Sequence, residues 1–209
     1  MVNLAVAGAG NTYIHETTVS ELSQRSYDLV LIMWTDFDRT DVRVADPKLF
    51  SSLNYTSRAQ SKPDPSNFLN HLTIDTERIQ QDWIFSGEYR QSKTKQPGGN
   101  VEKLFSHRDF SSSNIQLENS LIRIISLQSV LKTMNIPYKF MFYKPLVGQH
   151  RYPDLVKLID QQNVIAEPYL FLLAYKNNWW NKSTTHPTID AYSAYADVLV
   201  EYLKGQKLI

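Results

Sequence analysis

The sequence predicts an α/β fold with three layers, in which a mostly parallel sheet lies between helices. Residues 27–34 and 138–143 are short runs of almost continuously apolar residues. Such runs are typical of strands that are covered on both faces. Helical patterns precede each of these runs, and strands that alternate with helices indicate a parallel sheet with helices on both of its sides.

The first βα unit is predicted at the start of the chain. Residues 3–7 form a short β-type run that ends in Gly8-Ala9-Gly10-Asn11. A strand that enters a turn of small residues and then a helix is the usual form of this unit. Asn11 and Thr12 are both good N-caps, so a helix is expected from here to about residue 24.

The middle of the chain is polar and rich in turn residues. It contains Ser-Lys-Pro-Asp-Pro at 61–65 and Gln-Pro-Gly-Gly-Asn at 96–100. We interpret residues 36–110, approximately, as an insertion over the carboxyl edge of the sheet, with a helix at about 75–89. Because the insertion has too few apolar residues for a core of its own, residues 1–209 are expected to form a single domain.

Regular patterns return in the second half of the chain. A helix over about 115–135 has one apolar face, formed by Leu117, Leu121, Ile124, Ile125, Gln128 and Leu131. Residues 152–161 and 169–180 are predicted to be helical or mixed. Thr188 is expected to cap a last helix over 189–204, and the residues predicted to face inward are Tyr192, Tyr195, Val198, Leu199 and Tyr202.

Composition excludes several classes of function. A net charge of +1 predicts no partnership with nucleic acid or with an anionic membrane. No apolar run is long enough to span a bilayer, and the residues after Met1 lack the pattern of a signal peptide. The absence of cysteine excludes disulfides and thiolate chemistry. The histidines have no metal-type spacing, so neither a metal nor a cofactor is expected.

Three segments together resemble the SGNH (GDSL-like) hydrolase family. Residues 3–11 resemble its second block, residues 28–36 its third, and His186-Pro187-Thr188 ahead of the last helix its fifth. The resemblance implies a flavodoxin-like sheet and hydrolysis of an ester, such as an acetyl group on a glycan. It also implies that Gly8 donates to the oxyanion and that His186 is the general base.

The sequences of these segments are similar to those of SGNH-like proteins of bacteriophages. Those proteins carry an asparagine three residues after the glycine, here Asn11, and a Trp-Thr pair, here Trp34 and Thr35, in the third block. The resemblance therefore implies that these three residues line the substrate site. Trp180 lies close to His186 in the sequence, where it would stack on a sugar ring or pack under the last helix.

The chain also departs from the family at positions that matter for catalysis. There is no room before Asn3 for the Gly-Asp-Ser block that carries the nucleophile. Asp36 aligns with the asparagine of the third block, and a carboxylate there would repel an oxyanion. Ser183, followed by Thr184 and Thr185, stands where the family has the orienting aspartate. Of the three groups that a Ser–His–Asp mechanism needs, only the histidine is present.

Two explanations for these departures stay open at this point. The chain has either lost its first strand, or Met1 is an internal methionine of a longer protein. A missing central strand leaves backbone groups unpaired, so the strands must pair again or a partner chain must complete the sheet. The first functional expectation is an ester hydrolase whose site is degenerate. The second is a non-catalytic binding or structural protein, located in a virion or in the cytoplasm of the host cell.

Overall fold

The computed structural model of the chain describes residues 2–5, 9–37, 39, 41–43, 83–85, 113–145, 151–166, 168–181 and 186–209. The contacts divide the chain into two compact units. The first unit consists of residues 1–26 and 37–130, and the second of residues 27–36 and 131–209.

The described residues of the first unit form two helices and a short antiparallel ribbon. Helix α1 is Asn11–Leu22, and helix α2, Ser113–Thr133, lies in this unit up to Val130. Strand β2 (Asp41–Arg43) pairs antiparallel with strand β3 (Trp83–Phe85). Polar side chains connect α1 with α2, because Asn11 Nδ2 donates to Ser120 Oγ at 3.1 Å and His15 Nε2 lies 3.2 Å from Ser126 Oγ.

The second unit is built on a parallel sheet of three strands in the order β1–β4–β5. These strands are β1 (Val30–Trp34), β4 (Tyr138–Phe142) and β5 (Val164–Ile165). All five residues of β4 are buried, because this strand lies between the other two. Lys139 is buried as well, and its ammonium donates to the Gln162 carbonyl at 2.9 Å and to Asn163 Oδ1 at 3.2 Å.

Helices and a small hairpin complete the second unit. Helix α3 (Pro153–Lys157) and a 3-10 turn (Gln161–Asn163) precede β5. Helix α4 (Leu170–Lys176) leads to the antiparallel pair β6 (Trp180–Asn181) and β7 (His186–Pro187), and helix α5 (Ile189–Gly205) follows. One core cluster joins the sheet to α4 and α5, and it contains Met141, Ile165, Leu170, Ala174, Ala191 and Tyr195.

The structure confirms the predicted α/β character and several of the predicted elements. The helices expected over 11–24, 115–135 and 189–204 are α1, α2 and α5, and the two apolar runs contain β1 and β4. The pairing of β1 with β4 is parallel, with Val30 opposite Tyr138 and Trp34 opposite Phe142. Among the described residues β1 pairs with β4 alone, and the expected partner strand stays a prediction.

Two predicted elements are wrong where the structure describes them. Residues 2–5 form no strand, because Asn3 Oδ1 accepts the Ala5 amide at 3.0 Å and thereby provides a local alternative to strand pairing. Residues 83–85, expected within a helix over 75–89, form β3 instead. Their Trp-Ile-Phe sequence favours a strand once a pairing partner is available. The rest of the predicted insertion lies largely outside the described residues.

The inward face of the last helix is also partly corrected. Tyr195 is buried as expected, but Tyr192 is 46% exposed. Ala191 and Leu203 are the other buried residues of α5. Leu199 and Tyr202 pack against the core cluster as predicted, and Val198 is half-buried, so the predicted inward face is wrong at Tyr192.

The contribution of the core is tested by truncating two leucines in the same unit. Leu131 is fully buried, whereas Leu158 is 58% exposed. We expect Leu131→Ala to lower the free energy of unfolding by about 2–5 kcal/mol, because it leaves a cavity. Leu158→Ala is the matched control, with an expected loss under about 0.5 kcal/mol. Urea unfolding followed by circular dichroism measures both, and equal losses would contradict the assignment of Leu131 to the core.

Candidate functional site

An ion pair lies where the two long parallel strands end. Asp36 follows β1 by two residues, and Lys144 follows β4 by two residues. Because Trp34 lies opposite Phe142, the segments that follow β1 and β4 leave the sheet side by side. The Lys144 ammonium consequently forms an ion pair with Asp36 Oδ2. The position is the carboxyl edge of the sheet, where open α/β sheets bind their ligands.

Aromatic rings surround the ammonium of this pair. Lys144 Nζ lies 5.2 Å from the centroid of the Phe171 ring and 6.0 Å from that of Tyr143. The Phe171 ring meets Trp180 edge-on at 5.4 Å and Tyr143 at 6.0 Å. The Phe171 amide also donates to the Tyr143 carbonyl at 3.2 Å, which ties α4 to the end of β4. We call Asp36, Tyr143, Lys144, Phe171 and Trp180 the strand-end cluster.

His186 is held beside this cluster by the β6–β7 pair. In that pair Trp180 lies opposite Pro187 and Asn181 lies opposite His186. The Thr188 amide donates to the Trp179 carbonyl at 2.9 Å, which closes the hairpin at the start of α5. His186 is therefore one residue pair away from Trp180. Ser183, Thr184 and Thr185, its neighbours in the sequence, lie outside the described residues.

The strand-end cluster contributes little to stability by its charges. The side chains of Lys144 and Asp36 are 36% and 26% exposed. Ion pairs with this degree of exposure contribute about 0–1 kcal/mol. All five residues of the cluster are half-buried, so solvent reaches them. The arrangement offers a ligand one carboxylate as acceptor, one ammonium as donor and several ring surfaces.

The pair also changes the interpretation of Asp36. From the sequence alone, this carboxylate was expected to repel developing negative charge. Lys144 forms an ion pair with it in the structure, so the negative charge of this carboxylate is balanced by a neighbouring ammonium. Sequence reasoning missed Lys144, although the loop after β4 belongs to the same carboxyl edge. It missed Phe171 too, and nothing in the sequence around residue 171 indicated a site.

Trp34 and Thr35 belong to the same edge but differ in accessibility. Trp34 is fully buried, and its ring meets Phe140 edge-on at 5.6 Å. Its indole Nε1 has no hydrogen-bond partner among the described residues. No part of the Trp34 ring is therefore open to a ligand. Thr35 is half-buried and precedes Asp36 in the sequence.

The turn expected to bind an oxyanion is occupied by a carboxylate of the same chain. Asp41 in β2 accepts the Gly10 amide at 2.8 Å and 2.9 Å, one contact for each oxygen, and the Tyr13 amide at 2.9 Å. Gly10, not Asn11 or Thr12, is the N-cap of α1, and it has no side chain with which to cap the helix. Asp41 supplies the missing acceptor from the neighbouring ribbon, at the helix end that favours negative charge.

Burial dominates the electrostatics of Asp41. Only 7% of the residue is exposed. Desolvation raises the pKa of its carboxyl from 3.8 to about 6, while the Tyr13 and Gly10 amides and the charges of Arg39 and Arg123 lower it. The same carboxylate adds to the burial that raises the pKa of the Tyr13 hydroxyl.

The remaining predicted site residues of the first unit do not face solvent or are not described. Asn11 is 1% exposed and is engaged with Ser120. Gly8, the predicted oxyanion donor, lies outside the described residues. Within the described part of the chain, no group of three or more His, Asp or Glu side chains is arranged to hold a metal ion. The helices described there also include none long and apolar enough to cross a membrane.

Comparison with protein-family models, with curated proteins and with solved structures finds no significant match to this chain. The assignment of function therefore depends on the geometry of the described residues, together with the resemblance of the three sequence segments.

The close approach of Asp41 to Gly10 gives a direct test of the turn. A Cβ at Gly10 would lie 2.9 Å from both Asp41 oxygens and 3.0 Å from the Arg39 carbonyl. We expect Gly10→Ala to lower the free energy of unfolding by about 1–3 kcal/mol, because the carboxylate must move away from the amides it caps.

Gly205 at the end of α5 provides the matched control for this substitution. A Cβ there meets nothing within 4 Å. Gly205→Ala should be neutral or stabilising by up to about 1 kcal/mol, because alanine is the better helix former. Thermal unfolding measures both variants, and a neutral Gly10→Ala would show that Asp41 does not hold this turn.

Proposed function

We propose that the protein binds a glycan at the carboxyl edge of its sheet and that it does so without catalysing hydrolysis. The observation that carries the proposal is the shared ammonium of Lys144, which contacts Asp36 on one side and the Phe171 ring on the other. A sugar ring needs both features that meet here. Its hydroxyls bind to charged donors and acceptors, and its apolar face stacks on aromatic rings.

The position of the cluster supports the same proposal. Ligands of open α/β sheets bind outside the carboxyl ends of the strands. Trp180, expected from the sequence to stack on a sugar or to pack under the last helix, is half-buried and meets Phe171 at the rim of the cluster. Phe171 is half-buried as well, so neither residue is fully enclosed by the core.

We further propose that this site descends from an SGNH-type ester hydrolase with the flavodoxin-like three-layer architecture. The proposal is supported by the three resembling segments and by the proximity of His186 to Trp180 in the β6–β7 pair. The departures from the family at Asp36 and Ser183 favour binding over turnover. A role in a bacteriophage particle or in its host cell is also part of this proposal, and it follows only from the sequence similarity of those segments.

Glycan binding is tested by titrating the protein with soluble acetylated and unacetylated oligosaccharides of glucose, xylose and N-acetylglucosamine. We expect Trp180→Ala and Lys144→Met each to weaken binding at least about tenfold, which corresponds to about 1.4 kcal/mol. Both variants should remain folded, because neither residue is fully buried. Tyr175→Ala is the control, since that tyrosine in α4 is 69% exposed and lies outside the cluster. If no oligosaccharide binds, or if Tyr175→Ala weakens binding equally, the proposed site is wrong.

Catalysis is tested separately with p-nitrophenyl acetate and acetylated oligosaccharides. We expect no hydrolysis above the buffer rate, both for the natural protein and for His186→Ala. Hydrolysis that disappears in His186→Ala would overturn the non-catalytic part of the proposal. In that case Ser183, Thr184 and Thr185 would be the next residues to change, since they stand closest to His186 in the sequence.

A further inference from the structure

We propose that the strand-end cluster is a cation site that the protein fills with its own Lys144, and that the ligand it takes from solution is a glycan with a free amine. This inference rests on the proposed glycan site and names the class of sugar that the site binds. The amine of the sugar competes with the Lys144 ammonium for Asp36 and for the aromatic rings.

The groups around the Lys144 ammonium are those that bind a cation in a ligand. The Asp36 carboxylate forms an ion pair with it, and the ring centroids of Phe171 and Tyr143 lie 5.2 Å and 6.0 Å from Nζ. A cation within about 6 Å of a ring centroid is attracted by the negative face of the ring, and ligand ammonium groups are recognised in this way. One carboxylate and two rings therefore form a place for a cation, and Lys144 occupies it.

The rings of this site are held by contacts that do not involve the ammonium. The Tyr143 amide donates to the Trp34 carbonyl at 2.9 Å, which continues the β1–β4 pairing beyond the strands. The Phe171 amide donates to the Tyr143 carbonyl at 3.2 Å, and the Phe171 ring meets both Tyr143 and Trp180 edge-on. The site consequently keeps its shape when the Lys144 side chain moves away.

A second lysine of the same sheet shows why Lys144 can be displaced. Lys139 also has a ring beside its ammonium, since Nζ lies 5.9 Å from the centroid of Tyr202. That residue is only 7% exposed, and its ammonium is fixed by the oxygens of Gln162 and Asn163. The side chain of Lys144 is 36% exposed, and ion pairs with this degree of exposure are weak. A ligand ammonium can therefore replace Lys144, whereas Lys139 is part of the core.

The charges of the cluster select an amino sugar among glycans. A free amine brings the positive charge that Asp36 and the rings attract, and the sugar ring brings an apolar face for half-buried Trp180. An acidic sugar would be repelled by Asp36 when it approached Lys144. A neutral sugar leaves the ion pair in place and binds to it through hydroxyls only.

Titration calorimetry with a glucosamine trisaccharide tests the competition. At about pH 6 its amines are protonated, because the ordinary pKa of such a primary amine is about 8. We expect the unsubstituted protein to bind it and Lys144→Met to bind it about tenfold more tightly, because the competing ammonium is gone. The N-acetylglucosamine trisaccharide has no free amine, and its affinity should fall in the same variant.

Two further variants identify the groups responsible. Lys157→Met is the matched control, because Lys157 pairs with an aspartate as well but is 74% exposed. It should leave the affinity for both trisaccharides unchanged. Asp36→Asn, combined with Lys144→Met, should remove the tenfold gain, because the carboxylate that holds the amine is lost.

NMR of the unsubstituted protein keeps the test independent of how well the variants fold. The ε-protons of Lys144 lie near the Phe171 ring, so the ring current shifts their signal away from that of an exposed lysine such as Lys157. We expect the glucosamine trisaccharide to move the signal toward the exposed position. The N-acetylated trisaccharide should leave it in place.

The outcomes separate this inference from the proposed glycan site. If neutral oligosaccharides bind but Lys144→Met gains no affinity for the glucosamine trisaccharide, only the cation site is wrong. Lys144 signals that do not move, or an unsubstituted protein that does not bind the amino sugar, would overturn it too. Butylammonium carries the charge without a sugar ring, and equal affinity for it would refute the choice of a sugar. If no oligosaccharide of either kind binds, both proposals fail.

Discussion

The parallel pairing of β1 with β4 is the constraint on which the second unit depends. It places Trp34 opposite Phe142, so that the segments after the two strands leave the sheet at the same level. Asp36 and Lys144 meet for that reason, although 107 residues lie between them in the sequence. Helix α4 then brings the Phe171 ring to the Lys144 ammonium, because the Phe171 amide donates a hydrogen bond to the Tyr143 carbonyl. A shift of one residue in this pairing would turn alternate side chains to the opposite face and separate the ion pair.

The two aspartates described in most detail show how burial decides what a carboxylate does. Asp36 keeps 26% of its side chain exposed and is neutralised by a flexible lysine, so it remains available to a ligand. Asp41 is 7% exposed, and backbone amides occupy both of its oxygens. Water solvates the first group, and fixed amide dipoles replace water for the second. The half-buried group is thus suited to exchangeable binding and the buried group to holding the chain together.

Much of the fold was predictable because its elements have strong local patterns. The apolar stripes of α2 and α5 repeat with the helical period, and β1 and β4 are apolar runs typical of covered strands. Strand β4 is fully buried, whereas Leu31 of β1 is 43% exposed. The failures have local causes as well. The side chain of Asn3 competes for the backbone at residues 2–5, and Trp83–Phe85 joins a strand partner about forty residues away, which no short window contains. The position of His186 ahead of the last helix was also readable from the sequence, because Thr188 is the N-cap of α5.

The sequence by itself determined the α/β class, the extent of the main helices and strands, and which strand ends carry polar residues. Hydrophobic periodicity and capping preferences act over a few residues, so they are visible without any structure. Only the tertiary structure decided that Lys144 neutralises Asp36 and that the ammonium lies over Phe171, which in turn contacts Trp180. It also decided that Asp41 caps α1 in place of Asn11 or Thr12. Those contacts join segments far apart in the chain. Their partners are selected by strand register and by packing, which no local pattern encodes.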